Sequence, residues 1–211
     1  NPEDYVEAVS KKVKKIISRL PAGKILAFLP SKADLRACEE SLGRLDGINI
    51  LCVHGSMSKS QQTEIFNTTR GGMDVILATN VAETSVTIPE VTYIVDSGKV
   101  KRKVFDDDAG TFKFVVDWIS KASSQQRMGR TGRTNAGHCY RLYTADTFYE
   151  TFSEHDPPEI TNLRLDSHVL MCLRLGIQDP SRLLMPTCPS LESFNLAINR
   201  LTQLRVIDQD S

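Results

Sequence analysis

The stretch Met73-Asp-Val-Ile-Leu-Ala78 is an apolar run that ends directly at the polar pair Thr79-Asn80. A short run of this kind, without polar alternation, predicts a strand that is buried on both faces of a sheet. Predicted helices separate it from similar predicted strands at residues 24–29, 48–53, 91–96 and 137–143. Strands that alternate with helices predict an α/β fold, in which helices cover both faces of a parallel, RecA-like sheet.

Residues 99–118 break this alternation. Apolar and basic residues flank the turn sequence Asp106-Asp-Asp-Ala-Gly110, which predicts an inserted β-hairpin with basic strands. Between Lys99 and Arg133 nine basic residues stand against four acidic ones, a net charge of +5, whereas residues 144–166 carry −5. A strongly basic segment and a strongly acidic segment, in a chain of zero formal net charge, predict that the basic segment is a local site for a polyanion.

Beyond the pair Pro157-Pro158 the spacing of apolar residues becomes helical, around residues 169–175 and 191–204. We therefore expect a domain boundary near His155. The expected domains are an α/β domain over residues 1–155 and a small helical unit over residues 156–211.

The composition is that of an ordinary globular protein, with 40% hydrophobic and 25% charged residues in a chain of 211. No apolar stretch approaches the roughly 18 residues that a membrane span needs, so no membrane partner is expected. The five scattered cysteines favour free thiols in a reducing compartment, either nuclear, nucleolar or cytoplasmic. Because the chain starts at Asn1 rather than at Met, we expect it to be a piece of a longer protein.

The most specific motif is Gln125-Gln-Arg-Met-Gly-Arg-Thr-Gly-Arg133, in which three arginines recur every third residue between glycines. Residues three apart lie on one side of a helical turn, and glycine lets a phosphate or a backbone approach closely. The planar, permanently charged guanidinium matches phosphate oxygens. The alternative, an exposed helix end in water, explains one arginine better than three. The motif therefore predicts a phosphate site.

A second motif spans residues 78–89, where hydroxyl and amide side chains follow directly on a predicted strand. Such groups can donate to phosphate and ribose oxygens, although an unusual capped loop explains them equally well. The sequence lacks the nucleotide loop G-x-x-x-x-G-K-[ST], so it offers half of a nucleotide site. The consecutive Glu154-His155-Asp156 cannot readily close around one ion, and no metal site is predicted.

These motifs resemble those of the second RecA-like domain of DEAH-box RNA helicases, in superfamily 2. Residues 25–31 resemble motif IV, and the stretch from His54 to Phe66 resembles motif IVa. Residues 78–88 are similar to motif V and residues 126–133 to motif VI, in the order in which the family has them. The resemblance also implies that residues 156–211 form a winged-helix domain.

The resemblance implies a role for each matching residue. Arg130 and Arg133 match the arginine fingers that act on the γ-phosphate of ATP, and Gln126 matches the glutamine that positions the attacking water. Nucleotide contacts are further implied for Phe66, which stacks on adenine in the family, and for Thr84 and Arg127. RNA contacts are implied for positions in motifs IV and V and in the hairpin: Ser31, Thr79, Asn80, Lys101, Arg102 and Lys103.

By the same resemblance, the intact protein hydrolyses ATP with Mg²⁺, both held mainly by a first RecA-like domain that is absent from this sequence. The expected partners are RNA, single-stranded or duplex, and an activating protein, and the isolated fragment is expected to be inactive. Pro89 stands where many members have an aspartate that can bond a ribose, which leaves the preference for RNA over DNA open. The alternative is a non-enzymatic RNA-binding pseudo-helicase module.

Overall fold

The computed structural model describes residues 2–58, 60–61, 73–84, 88–106, 111–132 and 136–208. The chain divides into two compact units. The first unit comprises Asn1–Arg102 and Val116–Asp156, and the second comprises Lys103–Val115 and Pro157–Ser211. Within the described residues, no helix is both long enough and apolar enough to cross a membrane.

The described strands are, in chain order, β1 Lys24–Phe28, β2 Asn49–Val53, β3 Asp74–Ala78, β4 Val91–Asp96, β5 Lys99–Asp106, β6 Thr111–Trp118 and β7 His138–Arg141. Five of them form a parallel sheet in the first unit, with the order β2-β3-β1-β4-β7. The predicted α/β fold with a parallel sheet is thus confirmed. Each strand of this sheet lies within two residues of its predicted bounds.

Apolar side chains fill both faces of this sheet, as parallel strands require. On one face, Ile25 of β1 shares a core with helix α1, Pro2–Arg19, and helix α2, Lys32–Leu42. On the other face, Leu26 shares a core with the short helix α3, Val81–Thr84. Every residue of β1 and β3 is buried, which explains why their sequences show no polar alternation.

The β-hairpin predicted over residues 99–118 is confirmed, because β5 and β6 pair as a two-stranded sheet. Helix α4, Lys121–Met128, follows it and is capped by Ser120, whose hydroxyl accepts a hydrogen bond from the amide of Ser123 at 3.0 Å. The helix begins beside the carboxyl end of β4 and its following turn contacts the amino end of β4. Helix α4 therefore runs antiparallel to β4 and to its parallel neighbour β7.

The second unit contains helices α5, Asp166–Arg174, and α6, Leu191–Gln203, which correspond to the predicted helical segments. Their apolar faces meet in a small core of Leu165, Val169, Phe194, Ala197 and Leu201. Short helical turns elsewhere cover Thr147–Thr151, Glu159–Asn162 and Pro180–Arg182. The described residues 157–208 contain no strand, and the winged-helix assignment stays a prediction. The sequence also predicts a helix over residues 58–67, most of which lies outside the described residues.

Candidate functional site

The loops that follow the strands meet at one edge of the sheet, because parallel strands end on the same side. The amide of Leu29 donates to the carbonyl oxygen of Ala78 at 2.9 Å, and the amide of Thr79 donates to that of Val53 at 3.0 Å. The first bond holds the loop after β1 beside the end of β3, and the second holds the loop after β3 beside the end of β2. The edge therefore brings together three residues predicted to contact RNA: Ser31, Thr79 and Asn80.

The side chains at this edge differ in what they offer to a ligand. Ser31 is the N-cap of α2, where its hydroxyl accepts from the amide of Asp34 and donates to the Asp34 carboxylate. Thr79 is only 8% exposed, whereas Asn80 is exposed. Among the three predicted RNA contacts, Asn80 therefore has the side chain that is most open to solvent.

Helix α4 sorts the residues of the arginine motif into a buried side and a solvent-facing side. Ser123 and Arg127, one turn apart, point into the protein, where Arg127 is 1% exposed. Gln126, on the solvent-facing side of α4, is exposed, and Arg130, in the turn that follows the helix, is half-buried. Both of these predicted catalytic residues are therefore at least partly accessible to a ligand. Two other predicted nucleotide contacts, Arg133 and Phe66, lie outside the described residues.

The turn that follows α4 is anchored on the sheet. The hydroxyl of Thr131 donates to the carbonyl oxygen of Val91 at 2.6 Å and lies 3.2 Å from that of Thr92. Gly137 packs against the same side chain, since a Cβ on it would lie 1.9 Å from Thr131 Oγ1. Only glycine permits this close approach. These contacts hold the backbone next to Arg130 in place relative to β4.

Arg127 requires a correction, because the motif placed it among the nucleotide contacts. Its Nε donates to Glu83 Oε1 at 2.7 Å, its Nη1 to Asp96 Oδ1 at 2.8 Å, and its Nη2 to the carbonyl oxygen of Lys99 at 3.2 Å. The guanidinium carbon also lies 4.8 Å from the centre of the Phe28 ring. All three nitrogens are engaged inside the protein, so the structure gives this side chain a structural role instead.

Electrostatics explain why a guanidinium can be buried here. Burial alone would lower the pKa of Arg127, but the charges of Asp96 and Glu83, with their hydrogen bonds, raise it above its ordinary value. Asp96 is 0% exposed and Glu83 is 7% exposed, so each buried carboxylate needs a cation beside it. Sequence reasoning missed both acids. The available signal was Asp96 itself, a charged residue that closes an otherwise apolar strand.

The basic residues of β5 also divide into exposed side chains and one that is engaged within the protein. Lys101 and Lys103 are exposed, and the ammonium of Lys103 lies 3.9 Å from the centre of the Phe112 ring. Arg102, on the other face of the strand, forms an ion pair with Asp156. Two of the three hairpin residues predicted to bind RNA thus have exposed side chains, and Arg102 is engaged within the protein.

The remaining candidates are simpler. Thr84 is exposed at the end of α3. His54 Nδ1 lies 2.8 Å from the hydroxyl of Ser56, and burial, followed by the charges of Lys32 and Arg36, lowers the pKa of His54. Within the described ranges, no group of three or more His, Cys, Asp or Glu side chains could hold a metal ion.

Known proteins are similar to this chain in both sequence and fold. Residues 8–135 match the family described as "Helicase conserved C-terminal domain". The chain is 36% identical over 204 residues to "ATP-dependent RNA helicase DEAH12, chloroplastic" of Arabidopsis thaliana, covering 96% of this chain and 11% of that protein. It is 39% identical over 158 residues to the Homo sapiens protein "Probable ATP-dependent RNA helicase DHX37", covering 74% of this chain and 14% of that protein.

The solved structure of the Escherichia coli DEAH/RHA helicase HrpB has the same fold, with a TM-score of 0.88 and 25% identity over 97% of this chain. The chain spans 26% of that protein and 11–14% of the curated relatives' length. The family match, the relatives and the common fold agree with the family that the motifs resemble. The chain therefore belongs to the DEAH-box ATP-dependent RNA helicase family, in which it corresponds to the helicase conserved C-terminal domain.

Proposed function

We propose that this chain is the second RecA-like domain, with a following winged-helix domain, of a longer enzyme that couples ATP hydrolysis to movement along RNA. The observation that carries the proposal is the arrangement around α4. Gln126 lies on its solvent-facing side and Arg130 lies in the turn that follows it, while its buried side is bonded through Arg127 to the helix that follows Thr79 and Asn80. One rigid helix thus connects a predicted ATP surface with a predicted RNA loop.

On the nucleotide side, Arg130 and Arg133 stabilise the charge that develops on the γ-phosphate, and Gln126 orients the attacking water. Phe66 stacks on the adenine, and Thr84 contributes a hydroxyl from the neighbouring helix α3. ATP and Mg²⁺ are held mainly by a first RecA-like domain, in keeping with the missing nucleotide loop in this sequence. Arginine fingers raise phosphoryl-transfer rates by about 10³–10⁵-fold.

On the RNA side, the loops that carry Ser31, Thr79 and Asn80 contact the phosphate backbone, and the exposed lysines of β5 guide a strand. Contacts of this kind bind single-stranded RNA largely without reading its sequence. When ATP draws the two RecA-like domains together, these loops move with α4 relative to the first domain. Repeated closing and opening advances the RNA. The five cysteines are free thiols, which agrees with an enzyme that works in the nucleus, nucleolus or cytoplasm.

ATP turnover, measured with and without single-stranded RNA, tests this proposal on the 211-residue chain beside the longer protein. We expect no turnover by the chain alone and RNA-stimulated turnover by the longer protein, with an activating protein added where stimulation needs one. Turnover by the chain alone would contradict the interpretation that this chain supplies only half of a nucleotide site, because the chain would then hold a complete one. RNA binding without turnover by the longer protein would instead support the pseudo-helicase alternative.

A further inference from the structure

The segment Ser153–Asp156 is bonded to the first turn of α4. The amide of Lys121 donates to the carbonyl oxygen of Ser153 at 2.8 Å, and the amide of Ala122 donates to that of Glu154 at 3.1 Å. The ammonium of Lys121 also donates to the Glu154 carboxylate at 2.6 Å. The first amides of a helix have no partner within the helix, so this segment satisfies two of them.

Asp156 extends these contacts to the hairpin. One carboxylate oxygen accepts from the guanidinium of Arg102 on β5, and the other accepts from the hydroxyl of Ser123 on α4 at 2.9 Å. Burial opposes ionisation, but the hydrogen bonds from Arg102 and Ser123 hold the pKa of Asp156 below its ordinary value. Asp156 is therefore an ionised acceptor at neutral pH, and it joins the hairpin to α4.

Ser123 stands between two carboxyl groups. Its hydroxyl lies 2.9 Å from Asp156 Oδ2 and 3.0 Å from Glu83 Oε2, and Ser123 is 6% exposed. A hydroxyl has one hydrogen, so it donates to one of these oxygens at a time. Glu83 in turn accepts from Arg127. The side chains form a continuous relay, whose members in order are Arg102, Asp156, Ser123, Glu83 and Arg127.

We propose that Ser123 and Asp156 are positioning residues that couple the hairpin to the helix of the arginine motif, through the alternative donation of one hydroxyl to Asp156 or Glu83. This inference rests on the proposed function. Neither residue touches ATP or RNA. Each instead transmits a displacement of β5 to α4 and α3, so that unwinding of RNA is coupled to hydrolysis of ATP.

The test uses the longer protein and measures base pairs of RNA duplex unwound per ATP hydrolysed. In Ser123→Ala and Asp156→Ala we expect this ratio to fall about five-fold or more, the usual size of a coupling between sites. ATP turnover at saturating RNA should stay within about two-fold of the wild type. Ser123→Thr, which keeps the hydroxyl, should restore the ratio. Ser18→Ala, at an exposed position of α1, serves as the matched control.

The double variant Ser123→Ala/Asp156→Ala should lose no more coupling than either single variant, because both interrupt one relay. Additive losses would overturn the inference. It would also be overturned by an unchanged ratio in Ser123→Ala, or by equal losses of turnover and unwinding with a lowered Tm. A wild-type protein without RNA-stimulated turnover would contradict the proposed function itself, whereas an active wild type with an unaffected Ser123→Ala variant contradicts the relay alone.

Discussion

Arg127→Met tests the structural role that the fold gives to the first arginine of the motif. Methionine keeps an unbranched side chain of similar reach but removes the charge and all the hydrogen bonds to Glu83, Asp96 and the Lys99 carbonyl oxygen. Two carboxylates then remain in an environment where they are 7% and 0% exposed. Water cannot solvate them without opening the structure, so we expect a large loss of stability.

The size of the loss follows from the burial. Removing one partner of a buried ion pair costs about 3–5 kcal/mol, because the other charge stays uncompensated. The exposed pair of Lys11 and Glu7 on α1 gives the contrast, since its members are 74% and 62% exposed. Exposed pairs of this kind contribute little to stability because water screens them, so Lys11→Met should be nearly neutral. We therefore expect Arg127→Met to lower the free energy of unfolding far more than Lys11→Met does.

Urea unfolding of the 211-residue chain, followed by fluorescence of the single Trp118, measures this difference in the first unit. With a slope of about 2 kcal/mol per molar urea, the midpoint should fall by about 2 M. The triple variant Arg127→Met/Glu83→Gln/Asp96→Asn, which removes all three charges, should recover part of the loss. A midpoint for Arg127→Met equal to that of Lys11→Met would refute the reasoning, as would a triple variant less stable than the single one.

Other substitutions test separate parts of the chain. Gly98→Ala should lower the free energy of unfolding by about 2–4 kcal/mol, because φ is +72° and a Cβ would lie 2.6 Å from a Tyr143 ring atom. Gly132→Ala, at φ +74° with open space around it, should lower it by about 1–2 kcal/mol. Equal melting temperatures for the two variants would contradict the clash with Tyr143. Burial would raise the pKa of Asp166, but its arginine partners hold it below its ordinary value. Asp166→Asn should therefore lose about 1 kcal/mol at pH 7, a difference that disappears as pH falls below about 4; a pH-independent loss would exclude this charge effect. Replacing Lys101 and Lys103 with Gln should flatten the salt dependence of RNA binding by about 0.7 per lost phosphate contact, and an unchanged slope would show that these lysines do not face RNA.

Local pattern was sufficient to predict the layered fold. The apolar residues from Ile25 to Phe28 need partners on both faces, so helices had to cover both sides of the sheet. The hairpin was predictable from its turn sequence, Asp106 to Gly110. The order of strands in the sheet was not predictable in this way, because it depends on pairing between residues far apart in the chain.

The role of Arg127 was not predictable from the motif alone. Its three arginines carry the same guanidinium chemistry, so a phosphate-binding argument treats them alike. What distinguishes Arg127 is the helical face on which it lies and two acidic partners located 31 and 44 residues away. Neither distance appears in a local pattern. Burial of Ser123 beside it shows that this face of α4 is a polar core.

The central claim, that the arginine motif supplies arginine fingers to ATP, is tested most directly by turnover of Arg130→Ala in the longer protein with saturating RNA. We predict a fall of about 10³-fold or more, with the free energy of unfolding changed by less than about 1 kcal/mol. Arg182→Ala, which removes an arginine that is 86% exposed in the second unit, should turn over at the wild-type rate. RNA-stimulated turnover at the wild-type rate in Arg130→Ala would contradict the assignment of this side chain to the ATP site.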